Sequence, residues 1–125
     1  MADFVERLVG KGGEFIELRI ESNYSSAADY VLFGSFTDKI YITGYFDTNV
    51  TTGTVTIRVH LMDPAGGLIY PPIASISGDV SEFKNKSFEI ARIDVPTAGL
   101  YFTVSVNTTE TVSYVRLYAR MLIKY

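Results

Sequence analysis

A chain of 125 residues, 47% hydrophobic and 14% aromatic, is long enough for one packed domain and too rich in apolar side chains for a disordered segment. Its net charge of −3, with both signs scattered, offers no basic stripe to neutralise phosphates, which argues against nucleic acid as a partner. Without cysteine there are no disulfides, thiolate metal sites or cysteine nucleophiles, and no apolar run approaches the roughly 20 residues of a membrane-spanning helix.

The first 13 residues read as a short amphipathic helix and a hinge. Asp3 and Glu6 form a capping-box pattern, Phe4, Val5, Leu8 and Val9 share a face at helical spacing, and Gly10 ends the segment. Lys11-Gly12-Gly13 lacks the glycine spacing and the hydroxyl residue of a phosphate loop, so it reads as a hinge. The helix either folds over one end of its own domain or serves as an arm that docks on a neighbouring subunit. No signal-peptide apolar core is seen. With no spanning segment either, the expected location is cytoplasmic or virion-associated.

From Glu14 the period changes from 3.6 to 2, and a single domain is expected over 14–125. Phe15, Glu17, Arg19 and Glu21 alternate with Ile16, Leu18 and Ile20. Ser22 to Ala28 reads as a polar loop, Tyr30 to Phe33 as a short apolar run and Lys39 to Asp47 as another strand. From Thr54 to Met62 the residues Val55, Ile57, Val59 and Leu61 point inward and Thr56, Arg58 and His60 outward. Asp63-Pro64-Ala65-Gly66-Gly67 is a turn. Leu68 to Tyr70 reads as a returning strand that Pro71-Pro72 ends. Ile73 to Lys86 reads as a long irregular connection. The strand signal resumes at Phe88 and Ile90 and slips parity near Ala91, where a bulge is expected. Pro96-Thr97-Ala98-Gly99 turns the chain into a strand with Leu100, Phe102, Val104 and Val106 on its core face. The last strand carries Val115, Leu117, Ala119, Met121 and Ile123 inward. About eight strands with one short N-terminal helix predict an all-β, jelly-roll-like antiparallel β-sandwich.

The stretch from Gly34 to about Arg120 resembles a Golgi-dynamics (GOLD) domain or a pre-peptidase C-terminal domain. The likeness is carried by the strand leading into Asp63-Pro64-Ala65-Gly66-Gly67, and by Pro96-Thr97-Ala98-Gly99-Leu100-Tyr101 followed by Val104, Val106 and Asn107. The resemblance implies a jelly-roll-like sandwich used for protein interaction or as an accessory domain.

Few residues offer chemistry. His60, the one histidine, has no nucleophile or orienting acid at a recognisable spacing, and its outward strand position marks a plain surface residue. Six aspartates (Asp29, Asp38, Asp47, Asp63, Asp79 and Asp94) lie at loops or strand ends, yet none is spaced Asp-x-Asp as a calcium loop would be. No catalytic residue, metal ligand or cofactor is therefore expected, and the chain reads as no enzyme.

Two features stand out. Tyr41 and Tyr45 share a strand face, as do Tyr114 and Tyr118, the latter interleaved with Arg116 and Arg120. Such a strip suits a subunit contact or sugar stacking, against the plainer reading of cross-strand packing. All four asparagines, Asn23, Asn49, Asn85 and Asn107, also begin glycosylation sequons. Asn, Ser and Thr all favour turns, which brings them together without glycans.

The sequence thus points to a structural or interaction protein whose partner is itself, as a homo-oligomer, or another protein. A virion or cell-surface component fits this reading. Absent Gln and Cys and scarce Asn suit a thermophilic source. The alternative is a carbohydrate-binding module using the exposed tyrosines.

Overall fold

The computed structural model describes residues 14–123. The predicted N-terminal helix with Phe4, Val5, Leu8 and Val9, and the Lys11-Gly12-Gly13 hinge, lie outside the described residues. Within them the chain forms β1 (Glu14–Ser22), β2 (Ser26–Thr37), β3 (Ile40–Thr48), β4 (Thr54–Met62), β5 (Ala74–Asp79), a single helical turn α1 (Val80–Phe83), β6 (Lys86–Ile93), β7 (Thr97–Asn107) and β8 (Val115–Ile123).

The strands make two antiparallel four-stranded sheets, ordered β1-β8-β3-β6 and β2-β7-β4-β5. Only β4 and β5 are neighbours in both sequence and sheet. At each other connection the chain crosses to the opposite sheet, so almost every pairing is long-range. Period-2 alternation puts one face of each sheet inward. Ile16, Leu18 and Ile20 of β1 and Val115, Leu117, Ala119, Met121 and Ile123 of β8 meet Val55, Ile57 and Val59 of β4 and Leu100, Phe102, Val104 and Val106 of β7 in one apolar cluster. Leu61 is half-buried and packs against that cluster.

Several segments differ from expectation. The polar loop after β1 is only three residues, and Ser26, Ala27 and Ala28 already pair with Ser105, Val104 and Thr103 of β7. Small polar side chains are tolerated there because one sheet face meets solvent. Leu68 to Tyr70 is not a strand. It makes one bridge, Leu68 with Met62, then follows β4 through hydrogen bonds from Ile69 N to Leu61 O and Ile73 N to Val59 O. The stretch expected to be irregular holds the edge strand β5 and the turn α1, where the Glu82 carboxylate accepts a hydrogen bond from Asp79 N at 3.0 Å. The turn before β7 is shorter than read, because Thr97 and Gly99 are already paired. A Cβ on Gly99 would lie 2.5 Å from Val31 O, so only glycine lets β2 and β7 approach at that point.

Two local features form as the sequence predicts. The register between β3 and β6 slips from Ile42–Ala91 to Thr43–Glu89, a bulge that leaves Ile90 over. In the Asp63–Gly67 turn, Asp63 Oδ1 accepts hydrogen bonds from Ala65 N and Gly67 N, and Gly66 has φ 86°. His60 requires a correction. It points outward on β4 as its parity demands, yet it is only 6% exposed. The segment running back along β4 covers it, with Ile69 O 3.3 Å from Nδ1 and the Tyr70 ring edge-on at 5.0 Å.

Candidate functional site

The solvent face of the first sheet is built from every second residue of four strands. Register sets Phe15, Leu122, Tyr41 and Arg92 in one row across β1, β8, β3 and β6. The next row is Glu17, Arg120, Thr43 and Glu89, the third Arg19, Tyr118, Tyr45 and Ser87, and the fourth Glu21, Arg116 and Asp47. Tyr114, one residue before β8, closes the fourth row, with its hydroxyl 3.4 Å from Asp47 Oδ2. The structure therefore brings Tyr41, Tyr45, Tyr118, Arg116 and Arg120 onto one surface, with Tyr114 at its end.

Each arginine of this face is held twice. Arg19 lies over Tyr118 at 5.3 Å and pairs with Glu21 at 2.8 Å. Arg92 lies over Tyr41 at 4.8 Å and pairs with Glu89 at 3.1 Å. Arg116 stacks on Tyr114 at 4.3 Å and reaches Glu21 at 3.2 Å. Arg120 covers Phe15 at 5.1 Å and binds Glu17 at 3.0 Å. Tyr45 and Tyr118 sit between these pairs, ring centroids 6.1 Å apart. Strand alternation is what makes this possible, because charged and aromatic residues at successive outward positions meet their counterparts on the adjacent strands.

The hydrogen bond that each guanidinium donates to its partner carboxylate, Arg19 to Glu21 and Arg92 to Glu89, raises the guanidinium pKa further, so both stay charged. Burial first, then the negative charge of Asp47, pushes the Tyr114 phenol above its ordinary range and keeps it a neutral donor. Exposed ion pairs and cation–π contacts contribute little each to folding, about 0–1 kcal/mol. Their larger effect is to fix long side chains in one arrangement before any partner arrives. Four guanidinium groups and the carboxylates of Glu17, Glu21, Glu89 and Asp47 cancel, so the face is charged in detail and neutral as a whole. At one corner lies a recess of about 320 Å³ lined by Lys39, Ile40, Tyr41, Arg92, Asp94 and Leu122.

The contributions of β1 and β6 were not singled out from sequence. Phe15, Glu17, Arg19 and Glu21 are visible as an alternating outward series, but their neighbours follow only from the pairing of β1 with β8, about 100 residues later in the chain.

The other singled-out residues stand apart from this face. Among the described residues no three His, Asp or Glu side chains gather as a metal site would require. Asp29 and Asp47 accept hydrogen bonds from the next residue's backbone N–H, and Asp63 organises its turn. Asn23 and Asn107 are exposed at strand ends. Asn85 has φ 58° and accepts a 3.2 Å hydrogen bond from Tyr45 Oη, a left-handed geometry that asparagine adopts more readily than most residues. Asn49 donates from Nδ2 to Thr111 O at 2.9 Å and accepts through Oδ1 from Ser113 N at 2.7 Å and Tyr114 N at 3.2 Å. Its carboxamide ties together the loops beside the Tyr114 end of the face.

No protein-family model and no curated protein matches this sequence. By structure the chain is similar to the SPBc2 prophage-derived protein YomS, with a TM-score of 0.51 and 10% identity over 93% of this chain and 98% of that one. It is also similar to CBM28, a carbohydrate-binding module specific for non-crystalline cellulose, with a TM-score of 0.52 and 9% identity over 92% and 74%. A CocE/NonD family hydrolase from Staphylococcus aureus aligns with a TM-score of 0.54 and 9% identity over 93% of this chain. This chain spans only 34% of that hydrolase. At such identities the likeness is one of all-β fold. No helix among the described residues is long and apolar enough to cross a membrane.

Proposed function

We propose that the chain is a non-enzymatic jelly-roll interaction module that associates with a second copy of itself through the solvent face of the first sheet. The strand order β1-β8-β3-β6 against β2-β7-β4-β5, with the chain alternating between sheets, supports the jelly-roll reading. One observation carries the assignment of the surface: four arginines on one sheet face are each both stacked on an aromatic ring and ion-paired. Arginine and tyrosine are the residue types that anchor protein contacts. Here they are ordered in advance, which lowers the entropy lost on association. A second copy is the favoured partner because the face is balanced in charge. A two-fold contact sets the same patch of both copies together, and a patch of balanced charge does so without net repulsion. A self-associating module of this kind suits the repeated unit of a particle or cell-surface layer.

Sedimentation velocity across a concentration series tests the reading. The wild-type chain is expected to sediment above monomer mass, with or without chelator. Replacing Tyr45 and Tyr118 together by Ser should weaken association by about 2 kcal/mol or more, roughly thirtyfold, with an unchanged circular dichroism spectrum. A wild-type monomer at every concentration, or an unaltered mass in the double variant, would show that this face is not the contact.

A further inference from the structure

The solvent face of the second sheet carries a separate aromatic array. Register places Tyr30 of β2, Tyr101 of β7 and His60 of β4 in one row across three adjacent strands. Tyr70, from the segment folded along β4, continues the row beyond His60. Ring centroids are separated by 6.5 Å from Tyr30 to Tyr101, 6.4 Å from Tyr101 to His60 and 5.0 Å from His60 to Tyr70. The Tyr30 and Tyr101 rings are nearly parallel, at 14°. The ends of the row are open, with Tyr30 48% and Tyr70 71% exposed, whereas His60 is locked beneath by Ile69 O. Tyr30, Tyr101 and Tyr70 thus present a ribbon of ring surface across the strands, and the covered His60 ring bridges Tyr101 and Tyr70 beneath it.

What flanks the ribbon decides its chemistry. The adjacent outward row holds Ala28, Thr103, Arg58 and Ser75, and the one after it Ser26, Ser105, Thr56 and Ser77. Hydroxyl groups both donate and accept, and the one ionic side chain of these rows is Arg58. A polyanion would need more cations than that. A proline-rich peptide could pack on the rings, but it has few donors and would leave the hydroxyl rows unused. A sugar chain matches both parts. Each sugar ring offers a face of C–H groups to an aromatic ring and a rim of hydroxyls to serine, threonine and Arg58.

We propose that this face binds a neutral polysaccharide, laid along Tyr30, Tyr101 and Tyr70, with the buried His60 ring supporting Tyr101 and Tyr70 from beneath and the sugar hydroxyls over Thr103 and Ser105. The site is on the opposite side of the molecule from the arginine–aromatic face and stands independently of the self-association reading.

Affinity electrophoresis in gels containing mixed-linkage β-glucan, glucomannan or xylan tests it, followed by calorimetric titration with the polysaccharide that retards migration. The wild-type chain is expected to be retarded by at least one of the three. Tyr70→Ala and Tyr30→Ala should each weaken binding about tenfold, the loss of one ring contact. Tyr70→Trp should retain binding, and the Tyr45→Ser/Tyr118→Ser variant should bind as the wild type does. Because Tyr70 is largely exposed, its alanine variant reads the site without threatening the fold, which circular dichroism checks. The proposal is overturned by an absence of retardation in all three gels, or by retention that Tyr70→Ala and Tyr30→Ala leave unchanged. Loss of binding through the Tyr45/Tyr118 face, or capture of a proline-rich peptide in place of any glycan, would overturn it too.

Discussion

Asn49 separates two readings of the sequon pattern, and the separation can be measured. If it is chiefly a glycan acceptor, its side chain matters little to an unglycosylated chain. The structure assigns it a different role. Its carboxamide makes three hydrogen bonds to backbone groups of Thr111, Ser113 and Tyr114, residues 62 to 65 positions away. Substitution by Ala leaves two N–H groups and one carbonyl without those partners. Each lost bond costs about 0.5–1.5 kcal/mol when water can replace it and more when it cannot. The half-buried position of Asn49 therefore sets the total at about 2–4 kcal/mol. With a urea slope of about 2 kcal/mol per molar, the unfolding midpoint should fall by roughly 1–2 M. Thr51→Ala destroys the same sequon but spares all three bonds, removing only the 3.3 Å contacts of its hydroxyl with Glu110. It should cost less than about 1 kcal/mol. The assay is urea unfolding followed by circular dichroism, on protein from a bacterial host that adds no N-glycans. A cost below about 0.5 kcal/mol for Asn49→Ala, or equal costs for the two variants, would refute the structural role.

The Glu110 carboxylate accepts hydrogen bonds from Thr52 Oγ1 and N at 2.7 Å each and from Thr51 N at 3.0 Å. These bonds, those of Thr52 first, lower its pKa below the ordinary glutamate range. The folded chain then binds this proton less readily than the unfolded one, so the contribution is complete above about pH 5 and fades as pH falls through the lowered value. Thermal unfolding between pH 3 and 7 should show that acid-side decline, flattened in Glu110→Gln; identical profiles would refute it. Val104 is fully buried in the shared cluster, and truncation to Ala should cost about 1–3 kcal/mol. A midpoint unchanged in urea would mean that the two sheets do not share one core there.

What the sequence made legible was the part that alternation alone controls. Val115, Leu117, Ala119, Met121 and Ile123 fall on one face at period 2, and no other arrangement buries all five. The β6 bulge announced itself through a parity slip near Ala91. β5 was invisible because Ser75, Ser77 and Gly78 carry no strand propensity, and the strand forms on pairing with β4. The burial of His60 was illegible for a related reason. Parity gives the direction of a side chain but not what later folds over it, and the Leu68–Ile73 segment covers it while looking like a strand. The solvent face of the first sheet was half legible. Tyr118 and Arg116 could be seen on one strand, but their partners Arg19, Glu21 and Tyr45 come from strands that only the sheet order makes adjacent.

That sheet order also accounts for the chemical contrast between the two faces. Because the chain crosses between sheets at nearly every connection, each face collects its residues from separate segments and is free to differ in character. The first sheet gathers arginine, carboxylate and tyrosine, whereas the second gathers tyrosine, serine and threonine around one cation. A sandwich points these faces in opposite directions. An assembly closed through the first sheet therefore buries its charged surfaces against each other and turns the hydroxyl-lined ribbon of each copy outward. In such an assembly the two ribbons look away from one another, so one stretch of polysaccharide cannot lie on both. Two separate chains can, so a dimer with both ribbons occupied would join two polysaccharide chains while each ribbon binds its own. On the two proposals neither face requires a cavity, because a charge-balanced sheet face would meet a copy of itself and an open row of rings would take a polymer from the side.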